Sequence, residues 1–208
     1  MSTNNDSTQH VQIAVADPTP LGLFGLAVVT MVASAQKLGI VEGVSWVLPW
    51  ALFCGSFAQL LAGYFDYCHR NIFGATIFSA FGFFWSAVGM SWMIKQEPLV
   101  LVWLLVWILK LFGFAIFWPY FIFACIGTIA ASSASLFLFV DMVFIDILLL
   151  GLALDGLGIG GHFPHTMAAY AEMAVALISL YGAGAGFLNN FYGRQFWPVG
   201  APLGIWKK

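Results

Sequence analysis

The amino-acid sequence predicts an all-α membrane protein, built as a six-transmembrane-helix bundle. Of its 208 residues, 62% are hydrophobic and only 8% are charged, whereas a soluble domain is about half apolar and about one quarter charged. The mean hydropathy of +0.94 is too high for a surface that faces water. This composition excludes a soluble enzyme, a disordered protein and a nucleic-acid-binding protein, which would need a basic face.

Six apolar runs are long enough to cross a bilayer, whose hydrocarbon core takes roughly 20 helical residues. The predicted spans are 21–40, 46–67, 72–94, 103–128, 136–154 and 168–188. The fourth lies in an apolar stretch that also contains Lys110 and Pro119. We expect Lys110 to reach the headgroups near one end of this span and Pro119 to kink the helix, which membrane helices tolerate.

The spans divide the chain into three parts. These are a disordered cytoplasmic tail at 1–17, a transmembrane domain at 18–192 and a cytoplasmic C-terminal tail at 193–208. Orientation follows from basic residues in short flanking segments. Four such residues lie on one side of a six-span bundle and two on the other, namely Arg70, Arg194, Lys207 and Lys208 against Lys37 and Lys95. This bias predicts that both termini are cytoplasmic, in a multi-pass protein of the cell membrane.

Small and weakly polar residues follow one side of the second and third spans. The two sets are Gly55, Gln59 and Gly63, and Ser79, Gly82, Ser86 and Gly89. Such stripes are typical of close helix packing in membranes, and they also suit a narrow pore. Gln59 favours the pore, because an amide inside the bilayer needs partners in protein or water.

Two acids, Asp141 and Asp146, lie inside the fifth span. An acid at the bilayer centre costs about 2.5–3.5 kcal/mol on insertion scales, so we expect each to face protein or water, or to be neutral. Five helical residues turn through roughly 140°, and therefore at most one of the two points into a central pore. This placement argues against an intramembrane aspartyl protease. The alternative for each acid is a structural role, bonded to Ser, Thr or the backbone.

No motif indicates a metal, a cofactor or a catalytic centre. His162 and His165 lie in the glycine-rich segment GIGGHFPH, where no third ligand has suitable spacing, and we expect an exposed loop there. The three cysteines, Cys54, Cys68 and Cys125, lack paired spacing and are expected as small apolar core residues.

The segment DPTPLGL, residues 17–23, has the features of a helix start. Pro18 and Pro20 suit a first turn, and Asp17 can cap the remaining amides. The free N–H groups and the positive end of the helix dipole also suit the approach of an anion.

Four segments together resemble one known family. Besides DPTPLGL, they are GSFAQLLAGYFDY at 55–67, NIFGATIFSAFGFFW at 71–85 and YGRQFWPVG at 192–200. They are similar to N-P-A-P-L-G-L, G-G-x-A-Q-x-x-A-G-x-x-E-Y, N-T-F-G-x-T-A-F-x-S-Y-G-x-F-W and F-G-R-x-x-L-P-x-G of the acetate uptake transporter family, the succinate–acetate permease group. The segments occur in family order, while spans four to six match only in hydropathy and length.

The resemblance implies six helices with cytoplasmic termini and a homohexamer with one path per protomer. Family members move acetate and similar small monocarboxylates, sometimes succinate, as proton-coupled transporters or anion channels, and fungal relatives are linked to ammonium export. Their path narrows at an apolar ring, and the matching positions here are Leu26, Phe81 and Asp141. An acid thus replaces an apolar gate residue, which favours passage with that acid neutral, or a protonated or cationic substrate. A register shifted by one would place Val140 or Met142 at the gate instead.

We therefore expect a membrane transporter or channel for acetate and related small monocarboxylates, without a cofactor, metal or nucleic-acid partner. The expected cytoplasmic mouth motif is Asp17, Pro18, Pro20, Leu21 and Gly22. The expected polar contacts of the substrate are Thr30, Gln59, Thr76 and Ser79, and the expected constriction is Leu26, Phe81 and Asp141. Two alternatives remain: an ammonia or ammonium channel or exporter of the same family, and a non-transporting membrane scaffold or sensor.

Overall fold

The computed structural model describes residues 15–96 and 110–205, which form helices joined by loops. In chain order the helices are α1 (Thr19–Lys37), α2 (Leu48–Cys68), α3 (Ile72–Gln96), α4 (Trp118–Ala131), α5 (Leu136–Leu157) and α6 (Phe163–Tyr192). Within the described residues, five of these are long and apolar enough to cross a membrane, and α4 is a shorter apolar helix. The order follows the six predicted spans. Residues 103–109, the predicted beginning of the fourth span, lie outside the described residues.

The ends of α1 follow from local chemistry. The Asp17 Oδ1 atom accepts a hydrogen bond from the Thr19 backbone N–H at 3.0 Å, which confirms the predicted capping role. Pro20 lies in the first turn, where no intrahelical N–H bond is lost. Lys37 lies in the last turn, next to the negative end of the helix dipole.

The last helix, α6, is longer than the sequence predicted. It begins at Phe163 rather than at residue 168, because Pro164 occupies its first turn, where proline is tolerated. The loop expected around the two histidines is therefore wrong for His165, which lies in the first turn of α6. The helix ends at Tyr192, and Gly193 follows with a left-handed φ of 61°, the conformation that glycine adopts at helix ends.

Two helical segments have π geometry, in which each backbone hydrogen bond spans five residues instead of the four of an α-helix. Ala51–Ala58 forms the first half of α2, and Phe112–Phe117 precedes α4. The second π segment ends just before Pro119, the residue predicted to kink the fourth span. Proline has no backbone N–H and its ring displaces the carbonyl of the preceding turn, so the α-helical hydrogen bonds are interrupted there.

The small-residue stripes of the second and third spans face each other. A side chain at Gly63 would collide with the Ser79 Oγ atom, and one at Gly82 would lie 2.7 Å from the Leu60 side chain. The hydroxyls of Ser56 and Ser86 are hydrogen-bonded across the same contact. The packing interpretation of these stripes is therefore confirmed, because the small residues let α2 and α3 approach closely.

The outward faces of the helices carry large apolar side chains. Phe53, Phe83 and Phe187 are 71%, 63% and 60% exposed. A soluble monomer rarely exposes such rings over contiguous surface, whereas a lipid environment accepts them. The chain is thus a multi-pass membrane protein, and polar side chains such as Gln59, Asp141 and Glu172 are buried inside the bundle.

The C-terminal segment after α6 folds back onto the bundle. The backbone N–H groups of Leu136 and Phe137 donate to the carbonyls of Ala201 and Val199 at 3.1 and 3.0 Å. The first N–H groups of a helix have no partner within it, so this returning segment completes the start of α5.

Candidate functional site

Three cavities follow one another inside the bundle. The near cavity, of about 390 Å³, lies at the beginnings of α1, α3 and α5 and includes Thr19, Asn71 and Leu138. The narrow cavity, of about 20 Å³, lies one to two turns further along the same helices. The far cavity, of about 300 Å³, lies towards their other ends. The order of the cavities is the same along all three helices, which indicates one path parallel to the helix axes.

The near and narrow cavities are adjacent, since four residues line both: Phe73, Gly74, Phe78 and Leu138. The narrow and far cavities are separated by an aromatic layer. Phe81 lines the narrow cavity and Phe84, one turn later on α3, lines the far cavity. Their ring centroids are 6.2 Å apart, and Tyr120 of α4 lies 5.0 Å from Phe84. This layer closes the path in the structure.

The narrow cavity brings together the three positions that the resemblance assigned to the gate. Leu26, Phe81 and Asp141 all line it and are 5%, 4% and 2% exposed. Met142, one of the two alternatives at a shifted register, also lines the cavity. A volume of about 20 Å³ has room for about one water molecule, so the observed state is too narrow for a carboxylic acid.

The two acids of α5 face different neighbours, as their angular separation predicted. The Asp141 Oδ2 atom accepts a hydrogen bond from the Ser179 Oγ of α6 at 2.8 Å, and the Asp146 Oδ2 atom accepts one from the Thr128 Oγ1 of α4 at 2.7 Å. The Oδ1 atom of each acid is buried and has no hydrogen-bond partner among the described residues. Each acid is thus bonded to a Ser or Thr side chain, as expected if its role is structural. Asp141 additionally lines the narrow cavity.

Gln59 is the other polar residue of the narrow cavity. It is completely buried, and neither its Oε1 nor its Nε2 has a partner among the described residues. It is the first residue after the π segment of α2. Buried polar groups are nearly always hydrogen-bonded, and exceptions are often functional. The Gln59 amide can donate to and accept from a solute or water in the cavity.

The remaining predicted polar contacts lie elsewhere. The Thr30 hydroxyl donates to the Leu26 carbonyl, and the Thr76 hydroxyl donates to the Ile72 carbonyl, each at 2.7 Å. Ser79 lies in the contact between α2 and α3, next to Gly63. Among the described residues these three do not line the three cavities. Helical Ser and Thr hydroxyls commonly bond back to the preceding turn, which the spacing alone did not reveal.

The mouth motif lies beside the path rather than in it. Asp17, Pro20 and Leu21 line an open groove between α1 and α6, while Gly22 packs against the Phe78 ring and Pro18 is buried. The Asp17 Oδ2 atom accepts a hydrogen bond from Asn190 Nδ2 at 2.9 Å. Asp17 therefore connects the beginning of α1 to the end of α6, and the adjacent Thr19 reaches the near cavity.

The far cavity is lined by ionisable residues that the sequence did not identify as a site. The Lys37 Nζ lies 2.8 Å from the Glu172 Oε2, and the His165 Nδ1 lies 3.1 Å from the Asp155 Oδ2. All four line the cavity. The signal in the sequence was Glu172, an acid near the beginning of the sixth apolar run. Within 15–96 and 110–205, no three His, Cys, Asp or Glu residues are grouped as a metal would require.

Comparison with known proteins relates this chain to membrane transport proteins. Over 71 residues it is 35% identical to the succinate-acetate/proton symporter SatP of Escherichia coli, which covers 34% of this chain and 38% of that protein. Over 78 residues it is 41% identical to ammonia transport outward protein 2 of Saccharomyces cerevisiae, covering 36% and 27% of the two chains. The matches therefore span well under half the length of either relative.

The fold matches a solved structure over most of the chain. The structure of the bacterial acetate channel SatP superposes with a TM-score of 0.77 at 24% sequence identity, covering 90% of this chain and 100% of that one. A model of the GPR1/FUN34/yaaH family matches residues 2–194. The predicted resemblance to the succinate–acetate permease group is confirmed, and the chain belongs to the GPR1/FUN34/yaaH family.

Proposed function

We propose that this chain is a membrane channel or transporter for acetate and related small monocarboxylates, and for the dicarboxylate succinate. Solute passes within a single chain, from the near cavity through the narrow cavity to the far cavity. The observation that carries this proposal is the common order of the three cavities along α1, α3 and α5. The names of the SatP relative and of the SatP structure support the choice of solute.

The narrow cavity determines which solutes pass. Leu26 and Phe81 must move to admit a molecule larger than water, and their apolar surfaces favour a solute that has lost its hydration shell. An ionised Asp141 would strongly repel a carboxylate that enters the narrow cavity, because little water is present there to screen the two charges. Passage therefore proceeds with Asp141 neutral or with the solute as its neutral acid. The Gln59 amide offers the donor and acceptor that a carboxyl group needs.

The proposal extends to assembly and topology. Both termini lie in the cytoplasm, so that the near cavity opens to that side, and the chain forms a homohexamer with one path per protomer. The tails at 1–17 and 193–208 flank the transmembrane domain at 18–192. The bias of basic residues supports this orientation, and the family resemblance supports the hexamer. The exposed apolar faces provide contacts with lipid and with neighbouring protomers.

Uptake of radiolabelled acetate by proteoliposomes tests the function. Initial rates are measured at pH 5–7, and the rate of protein-free liposomes is subtracted because neutral acetic acid crosses lipid. We expect saturable uptake that Phe81→Trp abolishes, since the larger ring fills the narrow cavity. Uptake equal to that of protein-free liposomes across this pH range would contradict the proposal.

An ammonia or ammonium path is the second candidate, and Asp141 in the narrow cavity favours it, because a carboxylate attracts a cation. The ammonia transport relative supports it by name. Methylammonium uptake in the same proteoliposomes, with acetate as competitor, separates the two candidates. Transport of neither solute would favour the third alternative, a scaffold or sensor.

A further inference from the structure

The far cavity contains a buried ion pair that also joins two helices. The Lys37 Nζ of α1 lies 2.8 Å from the Glu172 Oε2 of α6, and the two side chains are 10% and 1% exposed. One turn earlier on both helices, the Ser34 hydroxyl donates to the Ala169 carbonyl at 2.7 Å. The ion pair and this hydrogen bond both join α1 to α6, and the ion pair lies in the wall of the far cavity.

The surroundings of the pair have the chemistry of a small-carboxylate site. Lys37 is the one Lys or Arg side chain, among the described residues, that lines any of the three cavities. The same lining includes the apolar side chains of Phe84, Trp85, Val88, Phe117 and Leu152. A volume of about 300 Å³ accommodates a small ligand. The ammonium suits a carboxylate, and the apolar wall suits an alkyl group.

We propose that Lys37 binds the carboxylate of the solute in the far cavity, and that Glu172 takes up one proton when the solute replaces it as the counterion of Lys37. The inference rests on the proposed function for the identity of the solute. It assigns both the binding site and the proton-coupling residue to one pair of side chains.

The uptake of one proton by Glu172 follows from charge balance. Glu172 is almost completely buried, and a buried carboxylate that loses its partner is strongly destabilised unless it becomes neutral. One solute carboxylate arriving and one proton binding to Glu172 leave the charge of the cavity unchanged. Lys37 remains an ammonium throughout, and only non-covalent contacts change.

The other titratable groups at this site are His165 and Asp155. They pair with each other at 3.1 Å, and their side chains are 33% and 39% exposed. His165 lies two turns before Glu172 on α6, and it lines the same cavity. Among the described residues, α3 and the π segment before α4 contribute no titratable side chain to the lining of this cavity.

Binding of acetate to the purified protein tests the inference. Titration calorimetry in two buffers of different ionisation enthalpy gives the affinity and the number of protons taken up. We expect about one proton per acetate in the wild type and none in Glu172→Gln, which mimics the protonated acid. We expect the double variant Lys37→Gln/Glu172→Gln to bind acetate about tenfold or more weakly, as when a charge-assisted contact is lost.

The double variant is the decisive protein, because it removes both charges and leaves neither buried without a partner. Size-exclusion chromatography establishes that it assembles as the wild type does. Arg194→Gln, an exposed change outside the cavities, is the matched control and is expected to bind as the wild type. Wild-type affinity and proton uptake in the double variant would overturn the inference and make the pair purely structural.

The inference and the proposed function fail separately. If the wild type transports acetate and the double variant is unchanged in binding, the inference alone is overturned. If the wild type transports no acetate, the proposed function is overturned, and the titration still decides the inference. The inference is supported if acetate binding takes up a proton in the wild type and this uptake is lost in the Glu172 variants. It is overturned if the wild type does not bind acetate.

Discussion

The hydroxyl of Ser179 on α6 donates a 2.8 Å hydrogen bond to the Oδ2 of Asp141 on α5, across a separation of 38 residues. This bond fixes one oxygen of the carboxyl group and leaves the other, Oδ1, without a partner among the described residues. Asp141 also lines the narrow cavity beside Leu26 and Phe81. A single contact thus holds an ionisable group at the tightest point of the path.

Replacement of Asp141 by Asn should change the pH dependence of transport. Asn keeps the shape and an acceptor for Ser179, but it cannot ionise. We expect acetate uptake at pH 7 to rise by about threefold or more, because the repulsion between two carboxylates is removed, while uptake at pH 5 stays near the wild-type rate. Background-corrected initial rates in proteoliposomes measure both values.

Asp146→Asn is the matched control for this prediction. Asp146 bonds to Thr128 of α4 and does not line the narrow cavity within the described structure. We expect its rates to stay within about twofold of the wild type at both pH values, in line with the usual small effect of changes away from a site. Equal and negligible effects of the two variants would place both acids outside the path.

Replacement of Gln59 by Leu should separate stability from transport. The amide is completely buried and has no partner among the described residues, and such a group costs about 1–3 kcal/mol. We therefore expect Gln59→Leu to raise the thermal unfolding midpoint while lowering acetate uptake about tenfold. Differential scanning fluorimetry and the proteoliposome assay measure the two effects. A more stable protein with unchanged uptake would show that solute does not contact the amide.

Replacement of Leu26 by Ala should widen the narrow cavity and relax its selectivity. Large-to-small changes in a core cost about 2–5 kcal/mol, so the variant is less stable, but it admits larger acids. We expect the uptake of butyrate relative to acetate to increase at least about threefold. Leu149→Ala is the control, since Leu149 is 1% exposed in the same core. A similar increase in both variants would indicate general loosening of the bundle.

Much of the fold was predictable because bilayer thickness sets the length of each apolar run. The third span begins at the predicted Ile72, and the separation of Asp141 from Asp146 followed from helix geometry alone. Contacts between helices were not predictable in this way. Lys37 and Glu172 are 135 residues apart, and no periodicity in either helix indicates that they meet.

The contacts of the polar residues along the path were likewise only partly predictable from the sequence. Gln59 was expected to face protein or water because an amide is costly in lipid, and it lies in the narrow cavity, buried and without a partner among the described residues. Its contact with the solute stays a prediction. Thr30 and Thr76 were predicted from position and polarity, but a hydroxyl on a helix can bond to its own preceding turn. Sequence patterns identify polar side chains in a span and do not determine which of these two outcomes occurs.

Asn189 of α6 holds the C-terminal segment against the bundle. Its Oδ1 accepts hydrogen bonds from the backbone N–H groups of Phe196 and Trp197 at 2.6 and 2.8 Å, and its Nδ2 donates to the Trp197 carbonyl at 2.8 Å. Trp197 stacks on Tyr181, with ring centroids 5.5 Å apart. Asn189→Ala should therefore release the segment, and we expect limited proteolysis beyond residue 193 to accelerate about fivefold or more, since local opening governs cleavage.

Asn189→Asp tests which contacts matter. The carboxylate keeps the acceptor for both N–H groups and loses only the bond to the Trp197 carbonyl, so its proteolysis rate should stay closer to the wild type than to Asn189→Ala. Release of the segment also leaves the N–H groups of Leu136 and Phe137 without the carbonyls of Ala201 and Val199. We therefore expect faster hydrogen exchange in the first turn of α5 for Asn189→Ala, because unpaired helix-end amides are exposed to water. Wild-type exchange there, together with rapid cleavage of the segment, would show that α5 does not depend on it.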